Sequence, residues 1–216
     1  MKYIIMCGGV YQQWTQPKQL LKVGDETVVE RTIRLLREKG VQDISISTNN
    51  PLFDGVGVPI LHHDNSYNAK GYNNFTGYWC DGFYPMNEPV CYLFGDVIFS
   101  PYAIDTIVDT LTNDIEFFAS SPPFPKEYNK QWAEPFALKV VDNVHLEDAK
   151  RLTKLYADAN KFYRKPIMWE LWQVIKGTPL NVINYSNYTV INDYTCDIDE
   201  PSEIQEILEH IKKFDK

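Results

Sequence analysis

Residues 1–21 read MKYIIMCGGVYQQWTQPKQLL, and this stretch decides the fold. Its apolar run over residues 3–6 predicts a buried strand that ends at the pair Gly8-Gly9. Glycine has no Cβ, so the backbone N–H groups of such a loop can approach a phosphate closely. Lys18 follows after a short polar loop and can add a point charge to the same phosphate. The stretch therefore predicts nucleotide binding at the first turn of an α/β sheet.

The size and charge of the chain exclude several classes of protein. At 216 residues, 44% of them hydrophobic, it is long enough for one domain with a sizeable core. The net charge of −8 argues against a nucleic-acid partner, because proteins that bind a phosphate backbone carry basic patches. No apolar stretch approaches the roughly 20 residues of a membrane span. The four cysteines lack the spacing of zinc ligands. We expect no signal peptide, reduced thiols and a cytoplasmic protein.

The hydrophobic pattern alternates between strands and helices. Residues 28–39 predict a helix that ends at Gly40, with Arg31 and Arg34 facing outward, and residues 41–47 predict the next strand. The fully apolar run 90–94 is typical of a central strand buried on both faces. Further strands are predicted at 58–61, 115–120, 137–141 and 182–190, and further helices at 102–111, 146–156, 168–175 and 201–214. The fold class is therefore α/β, a three-layer αβα sandwich around a Rossmann-like, mostly parallel mixed sheet.

Acidic residues follow two of the strand-like segments. Asp96 ends the run 90–94, and in open α/β sheets ligands bind at the carboxyl ends of the strands. Asp197 and Asp199 stand at i and i+2 on an extended segment, so their side chains point the same way. Each of these residues could instead cap a helix or turn. Together they predict a magnesium site, because Mg²⁺ typically takes one or two carboxylates plus the phosphates of a ligand.

Two further groups could line a pocket. The cluster Tyr72-Asn73-Asn74-Phe75-Thr76 has adjacent amides that could contact the edge of a base, although asparagine also favours turns. The tryptophans could hold a cation or a ring on their faces, although most such aromatics belong to the core; they are Trp132, Trp169 and Trp172.

In these residues the chain resembles the sugar-phosphate nucleotidyltransferases. Gly8-Gly9, Pro17-Lys18, Gly95-Asp96-Val97 and Asp197-Ile198-Asp199 follow in the order of that family. The cluster at 72–74 and the pair Trp169-Glu170 resemble the small bacterial choline-phosphate cytidylyltransferases. The resemblance implies a Mg²⁺-dependent transfer of an NMP group, with CMP favoured, from an NTP to a phosphorylated small molecule. The acceptor would be phosphocholine-like or a sugar 1-phosphate, pyrophosphate would be released, and the product would be a precursor of cell-surface polysaccharide.

The resemblance also implies a role for each matching position. Backbone contacts to the nucleotide would come from Gly8, Gly9 and Val10. Phosphate charge would be neutralised by Lys18. Residues near the base would be Asn73, Asn74 and Thr76. The metal would be held by Asp96 and Asp199, with Asp197 as a further candidate. The acceptor would be bound by Trp132, Glu134, Trp169 and Glu170. The chain would be one domain over residues 1–216, with the nucleotide half at about 1–120 and acceptor-side elements at about 121–180.

One departure from the family pattern keeps alternatives open. The loop over residues 10–14 lacks the second glycine and the arginine that the family carries there. Loss of one charge-assisted contact costs about 1.5–3 kcal/mol. Another cation could compensate; the candidates are Lys22, Lys126, Lys139, Arg164 and Lys165. The missing arginine favours a non-catalytic nucleotide-binding module. A nucleotide-sugar glycosyltransferase would have Asp-x-Asp at the end of a central strand, where this chain has Asp96-Val97-Ile98.

Overall fold

A computed structural model describes residues 1–8, 14–63, 78–122, 132–199 and 203–214. The strands in these parts of the chain are β1 (Lys2–Met6), β2 (Lys22–Val23), β3 (Glu26–Thr27), β4 (Ile44–Ser47), β5 (Ile60–Leu61), β6 (Val90–Phe94), β7 (Val97–Ile98), β8 (Ile115–Ala119), β9 (Pro135–Val140), β10 (Thr189–Val190) and β11 (Cys196–Asp197). The α-helices are α1 (Val28–Glu38), α2 (Pro101–Asp109), α3 (Asn143–Asp158), α4 (Met168–Lys176) and α5 (Glu203–Phe214).

Seven of these strands form the central sheet in the order β10-β8-β9-β6-β1-β4-β5. β1 lies between β6 and β4 and runs parallel to both, and β5 and β10 are also parallel to their neighbours. β9 runs antiparallel to both β6 and β8. The fully apolar β6 lies near the centre and is buried along its whole length, as its sequence predicts. The prediction of a mostly parallel mixed sheet is confirmed.

Different helices cover the two faces of this sheet. Lys139 of β9 donates hydrogen bonds of 2.6 and 3.1 Å to carbonyl oxygens at the end of α2. The neighbouring residue Leu138 points to the opposite face, where its cross-strand partner Phe117 packs on Trp169 of α4. α1 contacts α2, and α3 contacts α4. The three-layer αβα sandwich predicted from the sequence is therefore confirmed.

The helices largely match their predicted positions. α1 begins with a capping box between Thr27 and Glu30, and Gly40 follows it with a φ of +88°. Arg31 was predicted to face outward, and this is wrong: its side chain is buried and donates hydrogen bonds to the Phe99 carbonyl and the Tyr194 hydroxyl.

None of the described helices combines the length and apolarity that crossing a bilayer requires.

The strand predicted at residues 182–190 is mostly absent. Only Thr189–Val190 pairs with the sheet, alongside β8. The preceding carbonyls are used by side chains of α4: Trp172 Nε1 donates to Ser186 at 3.0 Å, and Gln173 Nε2 donates to Val182 at 2.9 Å. The alternating β-formers of this segment therefore lie along α4 instead of extending the sheet.

Candidate active site

The central strands β1 and β6 end side by side, and this edge carries the predicted residues. Past β6, the N–H of Gly95 donates to the Met6 carbonyl at 3.1 Å. A Cβ at position 95 would lie 2.4 Å from that oxygen and 2.9 Å from Cys7 Sγ, so only glycine allows this approach. Burial, together with the charge of Asp96, raises the pKa of the Cys7 thiol, so the thiol stays protonated. Asp96 is thus held directly beside the end of β1.

A short ribbon brings the second acidic segment to the same place. β7 follows Asp96 and pairs antiparallel with β11, so that Asp197 lies opposite Val97. The N–H of Ile198 donates to the Asp96 carbonyl at 3.1 Å. The N–H of Asp199 donates to Glu203 Oε2 at 2.8 Å, which joins the segment to the first turn of α5. The structure therefore brings together the three aspartates that the sequence predicts.

Lys18 lies between two of these carboxylates. It begins a 3₁₀ helix over Lys18–Leu20 and is only 1% exposed. Its Nζ is 3.7 Å from Asp96 Oδ2 and 3.5 Å from Asp199 Oδ1. A lysine is almost never buried without a charged partner, and here both carboxylates serve as partners. The site thus presents one buried positive charge among acidic side chains that reach solvent.

Three carboxylates converge beside this lysine. One oxygen from each of Glu134, Asp197 and Asp199 lies within 4.8 Å of the other two. Glu134 is 6% exposed, precedes β9 and donates its N–H to Ser120 Oγ at 2.8 Å. Because β9 is antiparallel to β6, the start of β9 lies at the same edge as the end of β6. Asp96, predicted as a metal ligand, is not part of this group of three.

The donor set fits the metal that the sequence predicts. Mg²⁺ binds through one or two carboxylates plus ligand phosphates, and all three groups here supply carboxylate oxygen. Carboxylates this close repel one another, and a divalent cation offsets that repulsion. The residues present are therefore compatible with a magnesium ion.

The predicted acceptor residues divide into two pairs. Trp132 is 49% exposed, and its Nε1–H donates to the carboxylate of Glu134, so this pair borders the acidic group. Trp169 is buried and donates to the Ala133 carbonyl at 2.8 Å. Glu170 is fully buried and accepts from Arg164 Nε at 2.6 Å and from a backbone N–H at the start of α4 at 2.9 Å. Trp169 thus supports the segment that carries Trp132 and Glu134, Glu170 holds Arg164 and the start of α4, and the role of both in acceptor binding stays a prediction.

Two of the proposed compensating cations are engaged elsewhere. Lys139 faces the end of α2 on one face of the sheet, where burial lowers the pKa of its ammonium group. Arg164 is ion-paired with Glu170. Gly8 lies two residues past the end of β1. The remaining predicted nucleotide contacts and one cation lie outside the described residues; they are Gly9, Val10, Asn73, Asn74, Thr76 and Lys126.

The buried lysine and the carboxylates lie at the carboxyl ends of the strands, where nucleotide-binding α/β folds hold their ligands. The chain belongs to the family of the MobA-like NTP transferase domain, whose sequence signature matches residues 3–121. This confirms the nucleotidyltransferase resemblance, and it favours that class over the glycosyltransferase alternative. A comparison with curated protein sequences gives no match.

Solved structures with the same fold include three nucleotide-related proteins. A candidate glucose-1-phosphate thymidylyltransferase from Bacillus anthracis, solved with sucrose, is 17% identical with a TM-score of 0.56, covering 97% of this chain and 94% of its own. The CTP:phosphocholine cytidylyltransferase of Streptococcus pneumoniae is 16% identical with a TM-score of 0.51, covering 96% and 97%. HddC from Yersinia pseudotuberculosis, complexed with GMP-PN, is 13% identical with a TM-score of 0.52, covering 96% and 98%. At these identities the likeness concerns the fold.

Proposed function

We propose that the protein transfers a nucleoside monophosphate, with CMP favoured, from an NTP to a phosphorylated small molecule and releases pyrophosphate. The observation that carries this proposal is the buried Lys18 ammonium, 3.7 and 3.5 Å from the carboxylates of Asp96 and Asp199 at the end of the central strands. A fixed positive charge at this edge suits a triphosphate, because nucleotides bind outside the carboxyl ends of the strands in such sheets. The preference for CTP rests on the sequence resemblance alone.

The reaction needs positioning more than it needs a base. A phosphate oxygen of the acceptor attacks the α-phosphorus in line, and a new P–O bond forms. The bond from the α-phosphorus to the bridging oxygen breaks, and pyrophosphate leaves with that electron pair. The attacking oxygen is already anionic, so no side chain has to remove a proton. The chain must instead hold two anions together, and Lys18 offsets part of their repulsion.

Glu134, Asp197 and Asp199 are the residues that would hold Mg²⁺, with Asp96 beside them. When bound, the ion supplies neutralising charge to the phosphate oxygens. The carboxylates of this group come from the segment before β9 and from β11 and its continuation, so two parts of the fold must be in place for the site to form.

The exposed indole of Trp132 supports a cationic acceptor such as phosphocholine. A quaternary ammonium is attracted to its π face, whereas the carboxylate of Glu134 beside it belongs to the group that would hold the metal. A sugar 1-phosphate could also use an aromatic face and a carboxylate. An acceptor screen decides between these two substrate classes.

A pyrophosphate-release assay tests the proposal. CTP, UTP, GTP and ATP are each combined with phosphocholine or glucose 1-phosphate in the presence of Mg²⁺. We expect release with CTP and one acceptor, and loss of the metal-dependent turnover in Asp96→Ala with the fold intact. Asp105→Ala is the matched control, because that carboxylate is exposed and pairs with Lys39 on the surface. Full turnover in Asp96→Ala would refute the proposal that Asp96 acts beside Lys18 and the residues that would hold the metal.

A non-catalytic nucleotide-binding module is the second candidate. It is favoured by the loop at 10–14, which carries no arginine, and by the engagement of Lys139 and Arg164 elsewhere. Such a protein would bind an NTP without releasing pyrophosphate with any acceptor. Nucleotide binding measured alongside the assay separates the two candidates.

A further inference from the structure

The ribbon that carries the acidic residues is too short to hold itself in place. β7 and β11 contribute two residues each, and even a complete isolated hairpin is marginally stable. Asp96 and Asp199 lie at one end of this ribbon, and their separation decides whether Lys18 can contact both. Something outside the ribbon must therefore determine its position.

Arg31 ties the opposite end of the ribbon to α1. Its Nε donates to the Phe99 carbonyl at 3.2 Å, just after β7, and its Nη2 donates to the Tyr194 hydroxyl at 3.1 Å, just before β11. Its Nη1 lies 3.6 Å from Glu26 Oε1. The guanidinium is buried, so its fork of donors is held in one orientation. One side chain thereby joins both strands of the ribbon to the first helix.

A second tie joins the same end to α2. Asp193 Oδ1 accepts from the Thr195 N–H at 2.7 Å, and Asp193 Oδ2 accepts from the Ser100 hydroxyl. The Ser100 N–H donates to Thr195 Oγ1 at 3.1 Å, and Ser100 Oγ accepts from the Ala103 N–H at 2.9 Å. Ser100 is the N-cap of α2, so the carboxylate of Asp193 links the segment before β11 to a helix start.

The two ties lie about 10 Å from the acidic end, since a strand rises about 3.3 Å per residue. Loss of a hydrogen bond at the end that Arg31 and Asp193 hold therefore turns or shifts the end that carries Asp197 and Asp199. We propose that Arg31 and Asp193 are positioning residues, which hold the ribbon so that Asp197 and Asp199 stay beside Glu134 and Lys18 in an arrangement that binds a divalent cation. This inference rests on the metal site of the proposed function.

Binding of Mn²⁺ alone, read from the free-ion EPR signal, tests the inference without any turnover. Tyr194→Phe removes only the hydroxyl that accepts from Arg31, and Asp193→Asn keeps the shape of the side chain while removing its charge. We expect each variant to bind Mn²⁺ about tenfold more weakly than the wild type, a loss of about 1.4 kcal/mol of binding free energy, because Asp197 and Asp199 move relative to Glu134.

Ile104→Val is the matched control, because Ile104 is a buried residue of α2 whose shortening loosens the core while leaving the ties intact. It should lower the thermal midpoint and keep the wild-type Mn²⁺ affinity. Unchanged affinity in Tyr194→Phe and Asp193→Asn overturns the inference, and so does a loss in all three variants that follows their thermal midpoints. A wild-type protein that binds no Mn²⁺ overturns it too. If the wild type binds Mn²⁺ and the tie variants weaken it but no acceptor releases pyrophosphate, the proposed function fails while the positioning role stands.

Discussion

Lys18 is a buried charge that pairs with carboxylates of the candidate active site, Asp96 and Asp199. Replacing it with glutamine removes the ammonium, so this charge no longer offsets the carboxylates of Asp96 and Asp199 or the phosphates of an incoming nucleotide. Removal of one preorganised electrostatic group typically lowers the rate by 10²–10³-fold. We therefore expect Lys18→Gln to lower kcat by about 10²-fold or more, measured by pyrophosphate release.

Lys2→Gln provides the comparison for Lys18, because Lys2 begins β1 at the opposite edge of the sheet and its ammonium pairs with Asp43. This control should keep nearly full activity and thermal stability. Equal losses in the two variants would mean that net charge matters, and that the position of Lys18 does not.

Gly95 follows β6 at the point where the chain passes close to Met6 at the end of β1. Gly95→Ala places a Cβ 2.4 Å from the Met6 carbonyl oxygen, which is backbone and cannot rotate away. Overpacking of this kind costs about 1–3 kcal/mol. We expect a clear fall in the thermal unfolding midpoint, followed by circular dichroism, together with reduced activity because Asp96 is the next residue. Gly82→Ala is the control, since its Cβ would meet only the end of the Met6 side chain at an ordinary 3.5 Å.

Single residues were predictable where a local pattern placed them. Lys18, Asp96 and Asp199 each follow a recognisable segment, and the structure brings them together. Glu134 was predicted only as an acceptor residue, because its meeting with Asp197 and Asp199 depends on how β9 aligns with β6. Arg31 was predicted to face solvent, because helical periodicity does not show that Phe99 and Tyr194 lie within its reach.

At the scale of elements, α1 depends on its first turn. The Glu30 carboxylate accepts from the Thr27 N–H at 2.7 Å and from the Thr27 hydroxyl at 2.8 Å, and these bonds lower the pKa of Glu30 below its ordinary value of 4.5. The ionised form is therefore favoured in the folded state. Its contribution to stability is present above pH 4.5 and is lost as the pH falls through the lowered pKa.

Two variants test how much this first turn contributes to the free energy of unfolding. Thr27→Ala should lower the free energy of unfolding at pH 7 by about 1 kcal/mol in urea titrations, as for other N-cap losses. Glu30→Gln should also be less stable than the wild type at pH 7, and the gap should close as the pH falls below 4.5. A gap that stays constant down to pH 3 would contradict the role of the Glu30 charge. Glu38→Gln, which removes a carboxylate that pairs with Arg34 at the other end of α1, is the control for the loss of a helix charge alone.

Elements with their own periodicity were predictable, and elements made by distant pairing were not. β1, α1 and β6 lie close to their predicted bounds because apolar spacing determines each of them. The ribbon of β7 and β11 was not predicted, since each strand has two residues and exists only through its partner. The prediction of a strand at 182–190 was wrong because Trp172 and Gln173 of α4 donate hydrogen bonds to carbonyl oxygens of this segment. No local sequence pattern reveals these contacts.

For the whole molecule, nucleotide binding should raise stability. A ligand at about 100 times its Kd adds roughly 2.7 kcal/mol, which corresponds to about 5–10 °C at this chain length. We expect this shift in thermal unfolding with CTP and Mg²⁺, and smaller shifts with UTP, GTP and ATP. An equal shift with all four would contradict the preference for cytidine. A protein that none of the four stabilises would contradict nucleotide binding itself.

The antiparallel strand β9 brings residues to the site from the opposite chain direction. The parallel strands β1 and β6 present residues as the chain leaves the sheet, whereas Trp132 and Glu134 are presented as it enters. The group of three carboxylates is therefore complete only after β9 has paired with β6 and β11 has paired with β7. A metal ion held by this group would bind the folded chain and stabilise it against unfolding.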